Sequence, residues 1–117
     1  KFDDDAPWGT QVVYSKNNDK SKTLALCVQE EVRALLQPKN HRQIKPAPDS
    51  VYLMKAVKNP AVIVECGFLS NAAELERLKD EKYRSELAFA IACGYLRYET
   101  SKGGDGNAGS LSGTGTA

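Results

Sequence analysis

The chain has 117 residues, of which 41% are hydrophobic and 26% charged, as expected for one globular domain. Its formal net charge of +1 gives no electrostatic case for a nucleic-acid partner, which would need a clustered excess of basic residues. No apolar run approaches the roughly 18 residues of a membrane-spanning helix, so we expect no membrane span in this chain.

The first forty residues predict a strand followed by a helix. Residues 10–15 (TQVVYS) are β-branched and aromatic, which is typical of a strand. Apolar residues then recur at helical spacing over residues 21–37, with Ser21 as the predicted N-cap and Pro38 ending the helix. Its apolar face comprises Leu24, Cys27, Val28, Val32, Leu35 and Leu36, and its solvent face Glu30, Glu31 and Arg33.

The middle of the chain predicts a long loop and two short strands. Residues 38–50 are polar and contain three prolines, as in a functional loop. Residues 51–54 (VYLM) are predicted to form a short strand. Residues 61–64 (AVIV) form an uninterrupted apolar run, which favours a strand buried on both faces in a parallel sheet.

Two helices are predicted in the last third of the folded part. Asn71 with Glu74 three residues later resembles a capping box, which marks a helix start. Asp80 is a suitable cap for a longer helix reaching about Tyr98. Gly94 lies inside that helix, where it either weakens the helix or allows close packing.

The order of these elements predicts an α/β layered domain with a thin three-stranded sheet. The sequence after Ser101 is rich in Gly, Ser and Thr and holds one large apolar residue. Such a segment cannot bury enough surface to order itself. We therefore predict a folded part at residues 1–100 and a flexible tail at residues 101–117.

Glu65 is the principal candidate for chemistry. The apolar run of residues 61–64 places it at the C-terminal end of a strand, where ligands bind in open α/β sheets. A glutamate in such a place is suited to general acid–base catalysis. From position alone, a structural role in a salt bridge or a helix cap stays open.

A longer motif around Glu65 resembles a known family. PAVIVECGFLSNAAELERL at residues 60–78 is similar to the C-terminal signature of the Amidase_3 class of muramoyl-alanine amidases. GTQVVYS at 9–15, SKTLALCVQEEV at 21–32 and HRQIKPAPDSVYLMKAVKNPAVIVE at 41–65 resemble other segments of that family. The resemblance covers residues 1–99, and the opening fifteen residues resemble its spore-cortex members.

The resemblance implies a mixed six-stranded sheet with helices on both faces and one zinc ion held by two histidines and a glutamate. It implies hydrolysis of the amide between muramic acid and L-alanine, with the zinc polarising the carbonyl and activating water. Glu65 would take the proton from that water and pass it to the leaving amine. The implied partner is peptidoglycan, the implied location is extracytoplasmic, in cell wall or spore cortex, and we expect a monomer.

The zinc ligands of the family precede the region that this sequence resembles. From the resemblance we therefore expect the chain to correspond to the C-terminal part of the catalytic domain, without its N-terminal strands. A catalytic zinc normally needs three protein ligands, so we expect the isolated chain to be inactive. The alternative is an inactive fragment or a peptidoglycan-binding module that lacks the zinc ligands.

Arg42 and Lys45 match the Arg-x-x-Lys positions of the family. Arginine's planar fork suits a carboxylate, so the two residues are candidates for binding the peptide stem of the substrate. A solvated or purely structural pair is an equal alternative.

Cys66 raises a third possibility, a thiol hydrolase that pairs it with His41. Alternate strand residues point to opposite faces, so Cys66 should face away from a cleft that Glu65 faces. The chain has three cysteines and no Cys-x-x-Cys pair, and free buried thiols are the simpler interpretation.

Overall fold

The computed structural model describes residues 6–102, and within them three strands and four helices follow one another. In chain order these are β1 (Gln11–Tyr14), α1 (Lys20–Leu35), β2 (Lys45–Pro46), α2 (Tyr52–Ala56), β3 (Val62–Glu65), α3 (Ala72–Lys79) and α4 (Glu81–Lys102). None of these helices is long and apolar enough to cross a membrane. The predicted tail lies outside the described residues from position 103 onward, so its flexibility stays a prediction.

The three strands form a mixed sheet in the order β2-β1-β3. β1 is parallel to β2 and antiparallel to β3, with Gln11 opposite Glu65 and Val13 opposite Ile63. The predicted mixed sheet is confirmed. The prediction of a fully buried parallel strand at residues 61–64 is wrong, because β3 runs antiparallel and is only half-buried. Within residues 6–102, β3 has a neighbouring strand on one side only, which leaves its outer edge uncovered.

Helices cover both faces of the sheet, as the fold class predicted. Val12 points toward α1 and α4 and is fully buried in the larger core cluster. Val13 points to the opposite face, where it packs with Ala47 and with Met54 of α2. The alternation of side chains along β1 thus divides the apolar core between two helical layers.

Residues 51–54 were predicted to form a short strand, and this prediction was wrong. The segment enters the short helix α2, in which Met54 is buried while Tyr52 is 81% exposed. Backbone carbonyls at the end of α2 accept hydrogen bonds from Ser15 and from the Asn17 side-chain amide. These contacts satisfy helix-end carbonyls that have no partner inside the helix, so a tertiary interaction overrides the β propensity of the sequence.

The start of α1 also differs from the prediction. Ser21 lies within the helix and is buried, and its hydroxyl accepts the backbone N–H of Ala61 at 2.9 Å. The Asn18 side chain instead accepts the N–H of Lys20, the first helical residue. Ser21 therefore connects α1 to the segment that leads into β3.

The polar face of α1 is not simply solvated. Arg97 of α4 bonds to Glu30 at 2.8 Å and to Glu31 at 3.1 Å. Hydrogen bonding to Glu30 raises the pKa of Arg97. Leu35, which was predicted on the apolar face, is 49% exposed.

Gly94 allows α1 and α4 to approach each other closely. A Cβ atom at this position would lie 2.5 Å from the Val28 Cα and 3.0 Å from the Cys27 carbonyl oxygen. Both contacts are with backbone, which cannot rotate away. Of the two alternatives that the sequence left open, close packing is the one that the structure shows.

We expect Gly94→Ala to destabilise the fold although alanine is the better helix former. Overpacking of this kind costs about 1–3 kcal/mol, and each kcal/mol lowers Tm by about 4–8 °C in a domain of this size. The matched control is Ala92→Gly at an exposed position of α4, where helix propensity alone costs about 1 kcal/mol. A rise in the Tm of Gly94→Ala on thermal unfolding would show that the helices are not in tight contact here.

Candidate functional site

Glu65 ends β3 and is exposed. It lies opposite Gln11, at the end of the sheet where β1 begins. Its neighbours Val64 and Cys66 pack on the α1–α4 side, so Glu65 points to the opposite face. Among residues 6–102 the structure gives its carboxylate no hydrogen-bond or ion-pair partner, which leaves the carboxylate accessible to a substrate.

A buried network of amide side chains holds the start of β1 beside Glu65. Gln37 accepts the Thr10 N–H at 3.0 Å and donates to the Thr10 hydroxyl at 2.9 Å. The Thr10 carbonyl accepts from Gln29 at 3.0 Å and from Asn40 at 2.8 Å. The Thr10 hydroxyl donates to the Cys66 carbonyl at 3.0 Å, directly after Glu65. Sequence inspection did not single out these residues, because nothing marks a buried glutamine or asparagine in a polar stretch.

Arg33 holds the loop that follows α1. Its guanidinium donates to the backbone carbonyls of Asn40 at 2.7 Å and Arg42 at 2.9 Å. Arg33 was predicted to lie on the solvent face of α1, and this prediction was wrong, because its guanidinium bonds to the following loop. The backbone that carries Arg42 is held in place by a charge-assisted bond from the preceding helix.

Arg42 lies at the same end of the sheet as Glu65. Its Nε donates to the Trp8 carbonyl at 2.7 Å, and its guanidinium lies 4.5 Å from the centre of the Phe68 ring. Phe68 follows Glu65 by three residues. Among residues 6–102, no acceptor is assigned to the two terminal nitrogens of Arg42, so the fork is available to a carboxylate.

Lys45 is exposed in β2 and pairs with Val13. It shares the sheet face of Glu65, because Val13, Ile63 and Glu65 all point to that face. The two residues are separated by two strand spacings and two positions along the strands, about 12 Å in total. The structure therefore brings Arg42 to the end of the sheet near Glu65 and leaves Lys45 farther along the same face.

Glu74 is a second carboxylate in this region, and it is buried. Its two oxygens accept the backbone N–H groups of Gly9 and Phe68, each at 2.9 Å. The predicted capping role is half confirmed: Asn71 accepts the Glu74 N–H, but the Glu74 side chain does not return to Asn71. The spacing of Asn71 and Glu74 predicted the start of the helix. No sequence pattern indicated that Glu74 would accept the N–H groups of Gly9 and Phe68.

The residues described here do not supply a zinc site. Among residues 6–102 no group of three His, Cys, Asp or Glu side chains could hold a metal ion. His41, the one histidine of the sequence, is exposed and lines a shallow groove with Trp8 and Arg42. The donor set within this range therefore does not fit the three-ligand zinc that the family resemblance implies.

Cys66 is unsuited to a thiol mechanism. It packs with the α1–α4 core on the face opposite Glu65, and it does not line the groove that contains His41. Burial raises its pKa, which disfavours the reactive thiolate. Cys27 is also a buried free thiol with a pKa raised by burial, and Cys93 is free.

Comparison with known proteins identifies the relatives of this chain. The sequence profile of Amidase_3, described as N-acetylmuramoyl-L-alanine amidase, matches residues 1–96. The germination-specific N-acetylmuramoyl-L-alanine amidase of Bacillus subtilis is 35% identical over 95 residues, which cover 81% of this chain and 39% of the relative. The LytC amidase of the same organism is 33% identical over 98 residues, which cover 82% of this chain and 19% of the relative.

A solved structure supports the same relationship. The CwlD amidase of Clostridioides difficile, in complex with the GerS lipoprotein, matches with a TM-score of 0.79 and 39% identity. The match covers 86% of this chain and 51% of that one. The chain thus spans about half, or less, of the length of these relatives.

We expect Cys66 to react slowly with iodoacetamide. Each unit of raised pKa lowers the thiolate population about tenfold near neutral pH, so alkylation should lag behind that of an unperturbed cysteine peptide. The rate should rise steadily with pH as the thiolate forms, and unfolding in guanidinium should remove the difference. Mass spectrometry of the Cys66 peptide measures both rates. Alkylation faster than the free peptide would instead indicate an activated nucleophile.

Proposed function

The chain belongs to the Amidase_3 family of N-acetylmuramoyl-L-alanine amidases, and from that premise we propose that the whole protein hydrolyses the amide between muramic acid and L-alanine in peptidoglycan. The observation that carries the proposal is the placement of Glu65. It stands exposed at the end of β3, in the signature that resembles the family's catalytic segment, beside a rigidly held start of β1.

We propose that Glu65 is the general base. An exposed carboxylate at the end of a sheet can take a proton from the attacking water and then deliver it to the leaving amine. The surrounding contacts support this role, because the backbone on both sides of Glu65 is fixed while its carboxylate is not engaged by residues 6–102. A carboxylate that served mainly as a structural link would be expected to have a partner.

Arg42 and Lys45 are the proposed substrate-binding residues. The Nε of Arg42 donates to the Trp8 carbonyl and one face of its guanidinium lies over the Phe68 ring, which fixes the direction of the fork. A fork held in this way suits the carboxylate of a stem peptide. Lys45 supplies a second positive charge farther along the same sheet face and would act as a longer-range contact.

Zinc dependence is part of the proposal for the whole protein. The family resemblance implies one zinc ion, whose ligands would come from outside residues 6–102, because this range offers no suitable set. Metal analysis of the purified whole protein, before and after chelation, tests this point.

The relatives also support a location. The germination-specific amidase among them favours an extracytoplasmic enzyme of the cell wall or spore cortex. CwlD was solved with a lipoprotein, so the expected monomer needs a direct measurement of mass in solution.

A second candidate is a peptidoglycan-binding module without activity. The donor set of residues 6–102, which cannot hold zinc, favours it for this part of the chain. Under this hypothesis Arg42 and Lys45 would bind cell wall and Glu65 would have no chemical role.

We expect Glu65→Gln to abolish most amidase activity of the whole protein on purified peptidoglycan while cell-wall binding is kept. Loss of a general base lowers the rate by about 10²–10⁴-fold. Release of stem peptides measures activity, and sedimentation with cell wall measures binding. The matched control is Glu76→Gln, an exposed glutamate on α3. If Glu65→Gln is as active as this control, Glu65 is not the base; wall binding without any wild-type activity would favour the binding module.

We expect Arg42→Lys to raise KM about tenfold or more with little change in kcat. Lysine keeps the charge but cannot form two parallel hydrogen bonds, and a charged hydrogen bond contributes about 1.5–3 kcal/mol. Steady-state kinetics should compare muramyl peptides with a free and an amidated stem carboxylate. The defect should disappear on the amidated substrate, and Lys58→Ala, at an exposed position before β3, should behave as wild type. An equal defect on both substrates would contradict carboxylate recognition.

A further inference from the structure

We infer that Glu74 is a positioning residue that holds the two backbone segments flanking Glu65, and this inference rests on the proposed function. Glu74 is not offered as a group that touches substrate. Its side chain is 3% exposed, so its carboxylate faces the protein interior. It acts through the backbone that determines where Glu65 stands.

The carboxylate bridges parts of the chain that are distant in sequence. One oxygen accepts the N–H of Gly9, 65 residues away, and the other accepts the N–H of Phe68. Both distances are 2.9 Å, within the normal range for an N–H donor. Because the acceptor is a charged carboxylate, each bond is stronger than one to a neutral oxygen.

The start of α3, which carries Glu74, is itself held in place. Glu74 lies in the first turn of α3, where its own N–H is accepted by Asn71 at 3.2 Å. The Asn71 amide donates in turn to the Ala6 carbonyl at 3.3 Å. A negative charge in the first turn is also favoured by the helix dipole. The bridge and the Asn71 contact therefore tie two backbone segments, residues 6–9 and the turn at Phe68, to one helix start.

Two glycines let the backbone come close enough to be bridged. Gly9 has a φ of 95°, a conformation that other residues avoid, and a Cβ there would lie 2.8 Å from the Asn40 side chain. A Cβ at Gly67 would lie 3.2 Å from the Glu74 Oε1 and from a Leu78 methyl. Gly9 itself donates one of the two bridging N–H groups, and Gly67 lies next to the Glu74 carboxylate.

The bridged segments connect to the backbone on either side of Glu65. Phe68 follows Glu65 by three residues, while Gly9 precedes Thr10, whose hydroxyl bonds to the carbonyl of Cys66. Gln11 then pairs with Glu65 across the sheet. Loosening the bridge would loosen the turn after β3 and the segment before Thr10 together. A shift of about 1 Å in a reacting group can cost about 10²-fold in rate.

Glutamine at position 74 tests the bridge with almost no change in shape. A carboxylate offers an acceptor to both N–H groups, whereas glutamine offers one acceptor and turns an NH₂ donor toward the other. The variant Glu74→Gln must therefore lose one of the two bonds. Glu76→Gln is the matched control, because it removes the same charge from an exposed position of the same helix.

The experiment combines two measurements on the whole protein. Hydrogen–deuterium exchange at the amides of Gly9 and Phe68 reports the bridge directly and needs no activity. Kinetics on purified peptidoglycan report its effect, with Glu74→Gln made both alone and together with Glu65→Gln. We expect faster exchange at one or both amides and a fall in kcat of about 10- to 100-fold, with KM within about twofold of wild type. In the Glu65→Gln background the same change should cost nothing further, because the group it positions is gone.

The other outcomes overturn the inference in recognisable ways. Unchanged exchange and kcat in Glu74→Gln, with Glu65→Gln inactive, would reject the positioning role and leave the proposed function standing. A rate loss that is equal in both backgrounds would show that Glu74 supports only the fold. A fully active Glu65→Gln protein would reject the proposed function, and with it any role that Glu74 exerts through Glu65.

Discussion

The structure depends on the complete hydrogen bonding of Thr10, where the chain enters β1. Thr10 is fully buried, and its N–H, carbonyl and hydroxyl all bond to side chains or backbone from elsewhere in the sequence. Gln29 comes from α1, and Gln37 and Asn40 come from the segment that follows it. A buried polar group without a partner costs about 1–3 kcal/mol, so this network favours one placement of β1 over all others.

That placement determines the division of the core and the direction of Glu65. With Thr10 bonded to the Cys66 carbonyl, β1 and β3 pair in one register, and a shift of β1 by one residue would exchange its two faces. Val12 would then leave the α1–α4 core for the side covered by α2. A one-residue shift of β3 would likewise turn Glu65 toward the α1–α4 core. The register that the core needs is therefore the register that exposes the carboxylate.

Sequence patterns predicted the elements whose apolar periodicity is strong and missed those that depend on distant polar contacts. β1 and α1 follow from their apolar residues, and α3 and α4 follow from the helix-start signals at Asn71 and Asp80. α2 was predicted as a strand, because its helical form relies on Ser15 and Asn17, which lie far away in the sequence. The predicted roles of Ser21 and Arg33 were wrong for the same reason. Whether such a side chain caps a helix, faces solvent or bonds to a distant part of the chain depends on the tertiary structure.

Two glutamates of one signature, nine positions apart, have opposite surroundings, and this contrast clarifies how the site is built. Glu65 is exposed and free of partners among residues 6–102, as a group that exchanges protons with a substrate must be. Glu74 is buried and spends both oxygens on backbone N–H groups, so a substrate cannot reach it. A catalytic carboxylate gains from accessibility only if its backbone does not move. Under the proposed function, the buried glutamate would supply that rigidity without competing for the same ligand, and one motif would contain both the reactive group and its support.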